Sequence, residues 1–394
     1  MTGDAAATRA ARLIPGGAST GSKRPEALWG APSAGLPTHY ASADGCRVTL
    51  ADGRTLIDLT MGLGSVALGY AHPEVTERMI AALRAGPVAA LAHPLESELA
   101  ERLSAHVPCA EQVRFLKSGA EGVAAAIRIA RTATARSHVV ASGYFGWLDW
   151  SSDAAGVPQG AHADVTRVPP HDVAALERAA AEHAHHLAAI ILEPVVEHAP
   201  DPAWLSRARD LATRLGAVLI FDEIKTGIRT HLGGYQALSG ITPDLAVFGK
   251  ALANGASLAA VVGRRAVMEA ATRTWISSTL AGEASALAAA CAVLDVAERE
   301  RLPERIEAIG STLRGAAERA LAGVHGASVQ GIAPMWFVRF AAPAQERAWL
   351  AALVRHGLIA KRGPYNFAAL AHDDATCATV ACAFDAAASE LPAE

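Results

Sequence analysis

Short, continuous apolar runs punctuate the middle of the chain, at His138 to Ala141, Ala188 to Leu192, Ala217 to Phe221, Leu245 to Phe248 and Leu258 to Val262. Runs of four or five residues without a polar alternation predict strands covered on both faces. Helix-period stretches lie among them. One starts at Ser118 and reads A-E-G-V-A-A-A-I-R-I-A-R, with Val123, Ile127 and Ile129 on its buried side and Ser118 placed to cap it. Others cover His171 to His183, Pro202 to Leu215 and an Ala-rich stretch from Gly282 to Arg299. This alternation from about Ser118 predicts a mostly parallel sheet with crossover helices. The chain ends read differently. The N-terminal part has a Pro-Gly-Gly turn and a hairpin around Asp52-Gly53. From about Leu302 the order is helix, strand pair at Val329 to Phe340, helix, strand, helix. The expected architecture is α/β: residues 61–300 form a large domain, and residues 1–60 and 301–394 together form a smaller α+β domain.

Composition narrows the function classes. A chain of 394 residues with 51% hydrophobic and 19% charged positions suits a packed, enzyme-sized globule. A formal charge of −4 gives no electrostatic footprint for nucleic acid or an anionic membrane surface. The segment Met1 to Arg12 lacks a secretory pattern and the apolar runs are too short to span a bilayer, so a cytoplasmic protein is expected. Cys46, Cys109, Cys291, Cys377 and Cys382 form no C-x-x-C pair, which predicts free thiols rather than a zinc site or a disulfide framework. His183, His185 and His186 read as a solvated helix end, because no acidic or cysteine partner stands at ligand spacing.

The chemistry sits at strand ends. Asp222 directly follows one apolar run, and Lys250 follows another after one glycine, inside F-G-K-A-L-A-N-G. Both fall at the carboxyl edge of the sheet, where open α/β sheets bind ligands. Crowding by backbone desolvates a lysine amine and moves it toward the nucleophilic range. A carboxylate beside a pyridine nitrogen keeps that nitrogen protonated. Ser118, Gly119 and Ala120 open a helix whose free amides and dipole can hold a phosphate. Tyr144, in the loop G-Y-F-G-W-L-D-W, has the shape to stack on a flat ring. Taken singly, each has an ordinary alternative: a surface lysine, a helix cap, an unliganded helix start and a packed loop aromatic. No G-x-G-x-x-G follows a first strand, which argues against a nicotinamide dehydrogenase.

In order, the segments I-P-G-G at Ile14 to Gly17, D-G-R-T-L-I-D-L at Asp52 to Leu59, L-G-Y-A-H-P at Leu68 to Pro73 and S-G-A-E at Ser118 to Glu121 form one set. G-Y-F-G-W at Gly143 to Trp147, E-P at Glu193, D-E-I-K-T-G-I-R at Asp222 to Arg229, G-K at Gly249 and S-T-L-A-G at Ser278 to Gly282 complete it. This set resembles the class III aminotransferases of pyridoxal-phosphate fold type I, and especially the branch containing glutamate-1-semialdehyde aminomutase. The resemblance implies pyridoxal 5'-phosphate as cofactor and Lys250 as its Schiff-base lysine and proton carrier. It implies Asp222 at the pyridine nitrogen, Ser118, Gly119 and Ala120 at the phosphate, Tyr144 on the ring and Glu193 near the cofactor. Thr279 matches a hydroxyl that reaches the phosphate from the neighbouring subunit, which implies a homodimer with shared sites. Ala120 stands where the family usually has Thr, Phe145 for His, Ile228 for Phe, Glu283 for Asn and Leu63 for an aromatic of the aminomutase. Lys23 or Arg24 stands near its carboxylate-binding residue, and either reads equally well as a solvated charge. Trp147 and Trp150 suit either the substrate entrance or the core, and Arg229 an internal salt bridge.

The function implied is amino transfer between a small amino donor and a carbonyl acceptor. Two alternatives stand beside it: an aminomutase or racemase using the same cofactor, and a catalytically silent subunit. The retained Lys250 and Asp222 argue against the last.

Overall fold

The apolar runs form the middle of a seven-stranded sheet. Its order is Gln112–Leu116, Ala259–Gly263, Leu245–Phe248, Val218–Asp222, Leu187–Leu192, His138–Ser142 and Val165–Arg167. Ala259–Gly263 pairs antiparallel with both neighbours, and all other strands run in one direction. The computed structural model describes residues 3–31 and 35–391. The chain divides into two units, residues 73–303 with the large sheet, and residues 1–72 with 304–394.

The five strands anticipated from apolar runs are present within a residue or so. Gln112–Leu116 and Val165–Arg167 were not anticipated, and their place in the sheet explains why. Both are edge strands whose residues are only partly buried apart from Phe115 and Leu116, so their sequences carry polar residues rather than an apolar run. The inner strands are fully buried.

The Gly119–Thr134 helix lays Val123, Ala126, Ile127, Ile129 and Ala130 against Val139, Ile191, Ile220, Val247 and Val261. Each such Ile or Val contributes about 1.5–3 kcal/mol on leaving water. The Ala284–Arg299 helix is buried along most of its length and packs on the Pro73–Ala85 and Leu95–His106 helices, which explains its small side chains.

A tight turn follows Asp222. Glu223 is fully buried and accepts hydrogen bonds from Tyr235 N (2.8 Å), Gln236 N (3.0 Å) and the Thr226 hydroxyl. Gly227 N donates to the Glu223 carbonyl at 2.7 Å. A methyl group at Gly227 would press on the Phe248 ring and come within 2.8 Å of that same carbonyl oxygen. Gly227→Ala is therefore expected to cost about 1–3 kcal/mol, read as a lower denaturant midpoint. An unchanged midpoint would show that the turn relaxes freely.

In the other unit, Tyr40–Asp44, Arg47–Leu50, Thr55–Asp58 and Leu358–Ile359 form one sheet, and Ala327–Ile332, Met335–Phe340 and Asn366–Phe367 form another. The hairpin at Asp52-Gly53 is present, with Gly53 at φ 91° and Asp52 Oδ1 accepting from Arg54 N at 3.0 Å. Among the described residues, no helix is long and apolar enough to cross a membrane.

Candidate active site

Four strand ends and one helix start converge at the carboxyl edge of the large sheet. Ser118 caps the Gly119–Thr134 helix: its Oγ accepts from Glu121 N at 3.3 Å, while Glu121 Oε2 accepts from Ser118 N at 2.8 Å. This capping box leaves the amides of Gly119 and Ala120 in the first turn, where a helix has no acceptor of its own for them. A methyl at Gly119 would lie 2.5 Å from Ile224 Cδ1, so a larger residue there would require that isoleucine side chain to shift. Gly146, at φ 89°, lets its loop approach Ala120, whose Cβ would sit 2.6 Å from a methyl at Gly146.

Asp222 ends its strand buried, with Oδ1 accepting from Ile224 N at 3.0 Å. Burial is the main cause that raises its carboxyl far above the ordinary range, and the nearby Glu193 charge adds to it. Lys225 and Lys250 pull the other way. Glu193 is also buried, with Oε1 2.7 Å from Lys225 Nζ and Oε2 accepting from Tyr144 N at 2.9 Å. Lys250 has a left-handed backbone, φ 46°, directly after the extended Gly249. Such a conformation costs a non-glycine residue about 1–2 kcal/mol and is retained where a side chain must be aimed. Burial lowers its amine to about 8, with the like charges of Lys225 and Arg229 assisting and Asp222 and Glu193 opposing.

Ser118, Gly119, Ala120, Glu193, Asp222 and Lys250 thus all lie at this edge. Tyr144 lies on the loop after His138–Ser142 with its side chain 71% exposed. Thr279 is exposed in the turn before Ala284–Arg299. Glu283 caps that helix, accepting from Ser285 N (2.8 Å) and Ala286 N (3.2 Å), and pairs with Lys117 Nζ at 3.2 Å. Phe145 and Ile228 are core residues, and Trp150 packs on Phe145 with ring centroids 5.9 Å apart, whereas Trp147 is exposed. Arg229 is fully buried. Lys23 and Arg24 are exposed. Lys23 lines a cavity of about 180 Å3 with Trp29, Tyr40, Leu63 and Tyr70. His183 is less solvated than expected, since its ring stacks on His138 at 3.5 Å.

Two residues escaped the reading of the sequence. Ile224 fills the space between Gly119 and Gly249, and its amide holds Asp222. Lys225 bonds Glu193. Their position, two and three residues past a strand-end acid, was the available signal.

Residues 30–371 match the family model described as aminotransferase class-III. The chain belongs to the class-III aminotransferases. It is 31% identical over 321 residues to the 3-aminobutyryl-CoA aminotransferase of Cloacimonas acidaminovorans, covering 79% of this chain and 77% of that protein. It is 36% identical over 307 residues to the glutamate-1-semialdehyde 2,1-aminomutase of Thermomicrobium roseum, covering 72% and 71%. The PLP internal aldimine form of the Sphingopyxis sp. MTA144 FumI protein superposes with a TM-score of 0.93 at 25% identity, covering 98% of this chain and 95% of that one. The family read from the motifs and the fold type are therefore correct. The protein is a pyridoxal-phosphate-dependent enzyme of the aminotransferase class.

The residues of this class-III aminotransferase fit that cofactor. A helix start with two amides in its first turn suits a phosphate, a desolvated amine suits an aldehyde, and a buried carboxyl suits a ring nitrogen. Among the described residues, the buried Ser142 hydroxyl at the same edge finds no hydrogen-bond partner, as in a site built to receive a polar group.

The lysine leaves a mark on the cofactor-free protein. Its folded value of about 8 lies below the ordinary 10.5, so between these the unfolded chain binds more protons and stability rises with pH. Below pH 8 the full cost of the buried cation is present, about 3 kcal/mol at 1.36 kcal/mol per unit. Lys250→Met is expected to raise the stability of the cofactor-free protein at pH 7 and to flatten this rise. Denaturant titrations at pH 7 and pH 10 check it, and parallel curves for wild type and variant would refute it.

Proposed function

We propose that this enzyme transfers an amino group from a small amine to a separate carbonyl acceptor, with Lys250 and Asp222 as its catalytic residues. The observation that carries the reading is the buried pairing of functions at one sheet edge: a desolvated amine and a buried carboxyl beside the start of the Gly119–Thr134 helix. Gly119 and Ala120 would hold the cofactor phosphate through their amides, with Ser118 fixing that turn. Asp222 would hold the ring nitrogen and keep a proton there. Glu193 would act from beside the cofactor, and Tyr144 would cover the ring. When bound, the cofactor supplies an electron-withdrawing ring to the amine-bearing carbon, which no side chain of the protein can offer. Lys250 would hold it through its Nζ, and that same Nζ, once displaced by substrate, would serve as the base that takes the proton from the amine-bearing carbon and as the acid that returns it. The depressed amine favours this, because at pH 7 about a tenth of it is already unprotonated, far more than of an ordinary lysine.

The exposed Thr279, flanked by exposed Trp275 and Leu280, supports a homodimer in which this turn completes the neighbour's phosphate site. Sedimentation of a monomer carrying bound cofactor would remove that part. A cytoplasmic location accords with the free thiols.

A second reading, an amino shift within one substrate, is supported by the 36% identity to an aminomutase. Absorbance with a panel of amino donors distinguishes the two. A donor that alone converts the enzyme to its pyridoxamine form, with turnover only after an acceptor is added, supports transfer. Turnover of a single substrate supports the shift.

A further inference from the structure

Lys117 is fastened at both ends. Its amide and that of Ser118 donate to Glu121 Oε2 at 3.1 and 2.8 Å, and the Ser118 hydroxyl donates to the same oxygen at 3.1 Å. Its Nζ stands 3.2 Å from Glu283 Oε2, with side-chain exposures of 19% and 15%. Glu283 is fastened in turn, because its Oε1 accepts from Ser285 N and its Oε2 from Ala286 N at the start of the buried Ala284–Arg299 helix. Residues 117–120 are therefore tied on one side to their own helix and on the other to a second, buried one. We propose that Lys117 and Glu283 are positioning residues for the cofactor phosphate: their ion pair fixes the place and aim of the Gly119 and Ala120 amides by tying residue 117 to the start of Ala284–Arg299. This rests on those amides being the phosphate-holding groups of the proposed function.

Ala120 offers no side-chain hydroxyl and the Ser118 hydroxyl is engaged with Glu121, so on this turn the phosphate contact falls to backbone amides. Hydrogen bonds from such amides weaken steeply as their direction is lost, which makes the aim of the turn matter. Both members of the pair are mostly withdrawn from water, so it is screened less than a surface pair. A pair acting only through its field would give opposite results for its two members, since loss of the Lys117 cation would weaken phosphate binding and loss of the Glu283 anion would strengthen it. A pair that aims the amides gives the same result for both, a weaker hold on phosphate. A pair that only supports the fold does not distinguish a ligand bearing the phosphate from one without it.

The test is absorbance titration of the full-length, cofactor-free chain with pyridoxal phosphate and, separately, with pyridoxal, which lacks the phosphate. In Lys117→Met and in Glu283→Gln the dissociation constant for pyridoxal phosphate is expected to rise about tenfold, while that for pyridoxal stays at the wild-type value. Lys117→Arg, which still reaches Glu283, should keep most of the affinity. Glu283→Asp keeps the charge and a good helix cap but shortens the reach to Lys117, and it should weaken pyridoxal phosphate binding in the same way. Unchanged constants, an equal loss for pyridoxal, or tighter binding of pyridoxal phosphate by Glu283→Gln overturn the proposal. Should Glu283→Gln fail to fold, Glu283→Asp decides, because a field effect alone predicts wild-type affinity for it. The functional reading fails separately, if wild type with pyridoxal phosphate shows no absorbance band that Lys250→Ala abolishes.

Discussion

Lys250→Ala is expected to lower kcat/KM by about a thousandfold or more, because one change removes both the covalent anchor and the proton carrier. The loss should fall on kcat and on retention of the cofactor through dialysis rather than on the fold. The lysine makes no hydrogen bond that the large sheet depends on, and its burial is a cost to the folded state. A small exogenous amine is expected to restore part of the rate by taking the place of the missing side-chain amine. Activity within tenfold of wild type would mean that another group does this work.

Asp222→Asn is expected to lower kcat by about a hundredfold to a thousandfold with a small change in KM, the range seen when one preorganised electrostatic contact is lost. The asparagine can still accept from Ile224 N, so the turn should survive and stability should hold or rise slightly. What disappears is the negative charge that keeps a proton on the ring nitrogen. Equal kcat in the two proteins would remove Asp222 from the chemistry. A fall in KM-dependent terms alone would make it a binding residue.

Much of the fold was legible because the inner strands are covered on both faces, and burial leaves an unbroken apolar run in the sequence. Lys250, Asp222 and the Ser118 helix start were legible for the same reason, since each follows directly on a recognisable element. Gln112–Leu116 and Val165–Arg167 were not, because edge strands need no such run. The contributions of Ile224 and Lys225 come from contacts made across strands only once the sheet is formed, with Gly119, Gly249 and Glu193. Their place two and three residues past a strand-end acid marks them as near the site without specifying these contacts. Glu283 illustrates the same limit: its value lies in capping Ala284–Arg299 while pairing with Lys117, 166 positions away in sequence.

The most direct test of the account is borohydride reduction of the protein loaded with pyridoxal 5'-phosphate, followed by proteolysis and mass spectrometry. The phosphopyridoxyl group is predicted on Lys250 and nowhere else in stoichiometric amount. A label on Lys225 or on scattered surface lysines, with Lys250 unmodified, would contradict it.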